Sequence, residues 1–278
     1  MQRYLLKTVV LIAAFMLPLS NIYAAENKVI TFGVVPQQSA SKMAKLWNPI
    51  LEYLQKETGY KFRFKTAKNI PTFEERIVAG KYDIAYMNPY HYTVFHQEPG
   101  YNAIAHAKDK RIHGIIVVHK DSSYKTLADL QGKKLSFPSP AAFAATLLTE
   151  AQLAKENIKY SKKYVSSHDS VYRNVAAKRF AAGGGVIRTM KNMEDKISSQ
   201  LRILWKSNGY TPHAIATHPD MDKAVAKKIQ DALAGMHKNE QGLKLVKSIK
   251  LKGFVKAGNN KWDDVRGLNI KFLNKFLK

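Results

Sequence analysis

The chain has 278 residues, with 45 Lys and Arg against 21 Asp and Glu, a formal net charge of +24, and no cysteine. At roughly 100–200 residues per domain this length makes one large domain or two medium ones, and a 45% share of hydrophobic residues excludes a disordered chain. The absence of thiols excludes disulfide frameworks, zinc ribbons, thiolate clusters and cysteine nucleophiles, leaving Ser, His, carboxylates or Lys for any catalysis.

Residues 1–24 place Arg3 and Lys7 ahead of an apolar stretch over 8–19, broken by Pro18, Ser20 and Asn21, with Ile22 and Ala24 at the −3 and −1 positions before Ala25. This is the pattern of a cleaved secretory signal peptide. As a membrane anchor the apolar run is too short for ~30 Å of hydrocarbon. Cleavage removes Arg3 and Lys7 from the +24 and leaves +22. No cysteine follows the apolar run to take a lipid, so a free protein of a Gram-negative periplasm is expected.

From residue 29 the chain reads as alternating strands and helices. Residues 29–35 (VITFGVV), ending at Pro36, predict a buried strand. Ser39 and Ser41 cap a predicted helix over 42–58, stopped by Gly59, with Leu46, Trp47, Ile50, Leu51 and Leu54 on one face. Residues 60–66 alternate apolar with basic side chains as a half-exposed strand does, and 72–79 read as a helix ending at Gly80. Residues 82–87 (YDIAYM) form a second buried strand closed by Asn88-Pro89, and 103–107 and 114–119 add two more. This βα alternation predicts an α/β fold with a mainly parallel sheet. Further on come a short helix at 126–130, a strand at 133–137, and a Pro138-Ser139-Pro140 loop opening a long helix over 141–156. A strand at 163–165, a helix at 170–179, a glycine-rich apolar stretch at 181–186 and a strand at 202–205 follow. Amphipathic helices at 221–236 and 241–249 lead into a basic C-terminal segment. The organisation is two α/β lobes without a disordered linker.

Five phrases occur in order: FGVVPQQ, LWNPILEYLQKETGYKFRF, IVAGKYDIAYMNPYHY, TLADLQGKKLSFPSP and LWKSNGYTPHAIATHP. In this the chain resembles the substrate-binding proteins of ABC importers for phosphate, phosphite and phosphonate, from about residue 29 to 245. The resemblance implies a type II periplasmic binding protein fold. One lobe would comprise 25–120 and 215–278 and the other 121–214, with crossovers at 120–124 and 207–214 serving as hinge and a ligand held by closure of the cleft.

The resemblance also points to cleft residues. Where the family carries a Ser-Thr-Ser cluster opening a helix, this chain reads Pro140-Ala141-Ala142. The hydroxyls are gone, Pro140 lacks an N–H, and Ser139 and Thr146 are the nearest hydroxyls. The N–H groups of Ala141 and Ala142 remain for an anion at the helix N-terminus, unless this is an ordinary proline-started helix. Tyr90 falls where the family places an aromatic hydroxyl at the cleft, with core packing as its alternative role; Gln37 and Gln38 follow the first strand at an equivalent rim position. His168 matches a family histidine opening a helix that Ser167 or Asp169 would cap. Arg188 and His213 stand where amine-binding relatives carry acidic residues, which predicts rejection of an ammonium group and a ligand without an amine. Gly183-Gly184-Gly185 lacks the spacing of a phosphate loop.

A pI near 9.9 suits nucleic acid, but the lysines are scattered and no RNP motif, zinc finger or helix-turn-helix is present. The charge reads as a solvated surface that concentrates small anions. The expected partners are a small anionic ligand and a membrane ABC permease, with a membrane sensor kinase, or a different small anion on the same scaffold, as the alternative. A monomer without cofactor or metal is expected, since His91, His96, His106 and His113 follow no ligand spacing. Neither G-x-S-x-G nor H-E-x-x-H occurs, so no enzyme is expected.

Overall fold

The computed structural model describes residues 29–277, and the predicted signal peptide lies outside them. Strand β1 (Ile30–Val34) pairs in parallel with β2 (Phe62–Lys65) and β3 (Ile84–Met87), bringing Phe32 opposite Phe64 and Ile84. Helix α1 (Ala40–Thr58) crosses from β1 to β2 and buries Trp47, Ile50, Leu51 and Leu54, the stripe its sequence spacing predicts. Helix α2 (Ile70–Val78) crosses to β3, opened by Asn69, whose side chain accepts from the Thr72 N–H at 2.9 Å. Strands β4 (Asn102–Ala107), β10 (Ala214–Thr217) and β11 (Phe254–Lys256) complete a six-stranded sheet in the order β11-β4-β10-β3-β1-β2.

The second sheet contains β5 (Gly114–His119), β6 (Lys134–Phe137), β7 (Ser161–Tyr164), β8 (Ala182–Val186) and β9 (Leu201–Lys206), in the order β7-β6-β8-β5-β9. Along β5, Ile115 and Val117 pack on one face with Val171 and Tyr172, while Ile116 and Val118 pack on the other with Leu130 and Phe137. A strand buried on both faces reads as an unbroken apolar run, as GIIVVH does.

Three sequence expectations are corrected here. The sheets are mixed rather than mainly parallel: β10 is antiparallel to β3 and β4, β11 to β4, and β5 to β8 and β9. Parallel pairs need a helical crossover to turn the chain back, and strands that pass straight from one sheet to the other have none. Strand β5 was expected in the first lobe, but it pairs within the second sheet, so the chain leaves the first lobe at 108–113 and not at 120–124. The helix expected over 141–156 starts with a π-turn, Phe143–Leu147, before helix α4 (Leu148–Lys155).

The return crossing, 207–213, runs against the outward one. Ile112 and Tyr210 each donate their N–H to the other's carbonyl, at 2.8 and 2.9 Å. Gly209 permits this contact, since a Cβ there would lie 2.8 Å from the Arg111 Cβ. The largest apolar core fills the first lobe around Phe32, Trp47 and Ile84 and runs on into Ala141–Ala145 and Val186 of the second, so the two lobes are in contact. No helix among the described residues is long and apolar enough to cross a membrane.

Candidate functional site

Polar side chains from both lobes meet at strand ends, the place where open α/β sheets bind ligands. Gln37 follows β1, and Asn88 caps helix α3 (Pro89–Phe95) after β3. From the second lobe come the π-turn, His168 at the start of helix α5 (His168–Ala176), and Arg188 at the start of α6 (Ile187–Lys191), directly after β8. His213 ends the return crossing.

Arg188 Nη2 donates to Gln37 Oε1, and Gln37 Nε2 lies 3.2 Å from His213 Nε2. The Gln37 carbonyl accepts from the His168 N–H at 3.2 Å, and Asn88 Nδ2 donates to the Ala141 carbonyl at 3.1 Å. At the rim, Gln38 Nε2 donates to Asp169 Oδ1 at 3.2 Å, Lys42 Nζ lies 3.8 Å from Asp169 Oδ2, and Lys42 also donates to the Asn192 carbonyl. The cleft is therefore closed, and Gln37 is its central tie.

Closure leaves two spaces. One, of about 340 Å³, is lined by Tyr86, Lys110, Arg188, Lys206, Gln37 and His213 among others. The other, of about 20 Å³, lies between Asn88, Ala142, Phe143, Ala144, Ala145 and His168. It holds about one water molecule and no tetrahedral oxyanion. Gln37, Ile112, Val186 and His213 line both spaces, and Gln37 and His213 are the polar residues among them.

The site is cationic but its histidines are held neutral. Burial, and then the Arg188 guanidinium, pull His168 down to about 3. Burial, then Arg188, His91 and His168, hold His213 well below the usual imidazole range. Neutral His213 leaves its Nε2 free to accept from the Gln37 amide, and its ring stacks on Tyr86 at 4.9 Å and 17°. His168 Nδ1 is buried without a hydrogen-bond partner.

The structure brings Gln37, Ala142, His168, Arg188 and His213 to these two spaces. The Ala142 N–H is already bonded to the Ser139 carbonyl at 3.3 Å. The N–H groups of Phe143, Ala144 and Ala145 then open the helix, where no carbonyl one turn earlier within the helix is available. Four expected residues lie elsewhere. Tyr90 turns away from the cleft, and its hydroxyl oxygen accepts from the Leu273 N–H at 2.8 Å, tying down the C-terminal segment. Gln38 is engaged at the rim by Asp169. Ala141 contributes its carbonyl to Asn88, and the buried Ser139 hydroxyl lines neither space. The cap of α5 is Ser167, which accepts from the Ser170 N–H at 3.1 Å. Sequence reasoning missed Tyr86, Asn88, Lys110 and Lys206. For Lys110 the charge run Lys108-Asp109-Lys110-Arg111 after β4 was the available signal, concealed by placing the crossing at 120–124.

Two mixed sheets, two paired crossings and a polar cleft closed by both lobes define a two-lobed solute-binding protein of the type II periplasmic fold. Residues 32–262 match the family of ABC transporter, phosphonate, periplasmic substrate-binding proteins, and the chain belongs to that family. Over 287 aligned residues, 91% of this chain and 84% of the relative, it is 24% identical to the phosphate-import protein PhnD of Mycolicibacterium smegmatis. Among solved structures it is similar to PhnD1 of Prochlorococcus marinus in complex with methylphosphonate, with a TM-score of 0.81 and 18% identity, covering 89% of this chain and 99% of that one. A binding-protein component of an ABC phosphonate transporter from Pseudomonas aeruginosa gives a TM-score of 0.80 at 18% identity, covering 87% and 85%.

Proposed function

We propose that this chain is exported through a cleaved signal peptide over 1–24, works in the periplasm as a monomer, and captures a small phosphorus oxyanion without an amine for delivery to a membrane permease. It binds its ligand and does not turn it over. The observation that carries the reading is the Arg188–Gln37–His213 chain across the closed cleft. Among the described residues the Arg188 side chain meets a neutral amide oxygen and no carboxylate, and an oxyanion forms stronger charge-assisted bonds with arginine than an amide does. Entry of the anion would swing Gln37 aside and merge the two spaces, adding the opening N–H groups of the π-turn as donors. These replace the missing hydroxyl cluster. With Arg188 and His213 in place of carboxylates, Asp109 is the one carboxylate on the larger space's lining to attract an ammonium group.

Calorimetric titration of the purified protein with phosphate, phosphite, methylphosphonate and 2-aminoethylphosphonate tests this. At least one amine-free oxyanion is expected to bind about tenfold or more tightly than 2-aminoethylphosphonate. Preference for the amine, or no binding by any of the four, would overturn the reading.

A further inference from the structure

The larger space carries more positive charge than a single oxyanion group calls for. Lys110 comes from the outward crossing, Lys206 from the end of β9 and Arg188 from the start of α6, and all three line it. Among the described residues none of the three has a carboxylate within ion-pair distance. The fourth cation on the wall, Arg111, is already engaged: its Nη2 lies 2.8 Å from Asp264 Oδ2 and donates to the Gly209 carbonyl at 2.8 Å. Asp109 is the one acidic residue on the lining. Three unpaired cations against one carboxylate leave a surplus of two positive charges. The crowding is felt locally: partial desolvation at the lining, then Arg188, Lys191 and Lys252, push Lys110 below the usual lysine range.

Size and surface point the same way. The space of about 340 Å³ corresponds to on the order of ten water molecules, far more than one tetrahedral oxyanion displaces. Between the cations the lining is apolar, from Ile112, Ile187, Pro212 and Leu251. A ligand that fills it has a short carbon body with charge at more than one end.

We infer that the site takes a small organophosphorus compound bearing a second anionic group, a carboxylate or another phosphoryl group. The phosphorus oxyanion sits against Arg188, and the second anion is held by Lys110 and Lys206. This rests on the oxyanion reading above and names the ligand class within it.

Phosphonoacetate and methylphosphonate share the phosphonate and differ by one carboxylate, so the ratio of their dissociation constants isolates the second subsite. Titrations in 0.15 M salt are expected to favour phosphonoacetate by about tenfold or more. In a Lys110→Met, Lys206→Met variant the ratio is expected to fall to within about threefold, while Lys159→Met, Lys247→Met removes the same charge from exposed positions off the cavity lining and keeps it. All four lysines are exposed, and circular dichroism checks that each variant folds. Equal binding of the two ligands by the unaltered protein, or a ratio that survives the Lys110/Lys206 change, would overturn the second subsite and leave the oxyanion reading standing. If neither ligand, nor phosphate, nor phosphite binds, the oxyanion reading itself falls and this inference with it.

Discussion

Gln37 holds the cleft shut through three bonds, one from the backbone N–H of His168 and two through its side-chain amide. Its partner Arg188 carries the charge. Removing a charged hydrogen-bonding group costs about 1.5–3 kcal/mol, so Arg188→Met is expected to raise the dissociation constant for the preferred oxyanion by about 10- to 100-fold in a titration. Tyr90 offers a contrast. Its hydroxyl serves the Leu273 N–H on the far side of α3, so Tyr90→Phe is expected to lower unfolding free energy by about 1–3 kcal/mol in urea melts while leaving oxyanion affinity unchanged. The buried histidines set a pH dependence. His168 is about 3 in the folded chain and takes up a proton near 6.5 when unfolded. The unfolded state therefore binds more protons between these values, and stability is full above about 6.5 and lost as the pH falls below it. The loss reaches about 1.4 kcal/mol per pH unit for this residue, and His213 adds to it in the same direction. Melts between pH 7 and 5 check it, with a shallower slope expected for His168→Gln.

At the scale of elements, the glycine-rich strand β8 explains how the site-forming π-turn is seated. A Cβ at Gly184 would lie 1.8 Å from the Ala145 carbonyl oxygen and 2.6 Å from the Phe137 ring. The strand is bare so that the turn can lie against its backbone. Gly184→Ala is therefore expected to force the turn off the sheet, destabilising by about 3 kcal/mol or more and weakening oxyanion binding, as paired urea melts and titrations would show. The run Gly183-Gly184-Gly185 was legible in sequence as something other than a phosphate loop, but its packing role was not, because a glycine carries no side-chain pattern to read. The opposite holds for α1, whose apolar spacing announced both the helix and its buried face. The start of the 141–156 helix misled, since a π-turn leaves no periodicity over five residues.

For the whole molecule, closure is held at the rim by Gln38 and Lys42 of the first lobe on Asp169 of the second, and hinged on the Ile112–Tyr210 pair. A ligand that binds the closed form gains affinity in proportion to how populated that form is. Asp169→Asn weakens the rim tie without touching the ligand space. It is expected to weaken oxyanion binding by about three- to tenfold while unfolding free energy changes by less than about 1 kcal/mol. Small-angle scattering of the unliganded variant is expected to show a larger radius of gyration that shrinks on ligand addition.

The sequence by itself determined most of the α/β elements and the family, because apolar spacing, turn residues and ordered motifs are local properties of the chain; helix α3 and strands β10 and β11 were not legible in it. It also pointed to Gln37, His168, Arg188 and His213 as cleft residues, through the positions at which the chain resembles the family. Only the tertiary structure decided which sheet β5 joins, that Tyr90 faces away, and that Lys110 and Lys206 share a space with Arg188. Strand partners, side-chain direction and charge proximity are set by contacts between residues far apart in the chain, 183 positions in the case of Tyr90 and Leu273, and no local pattern records them.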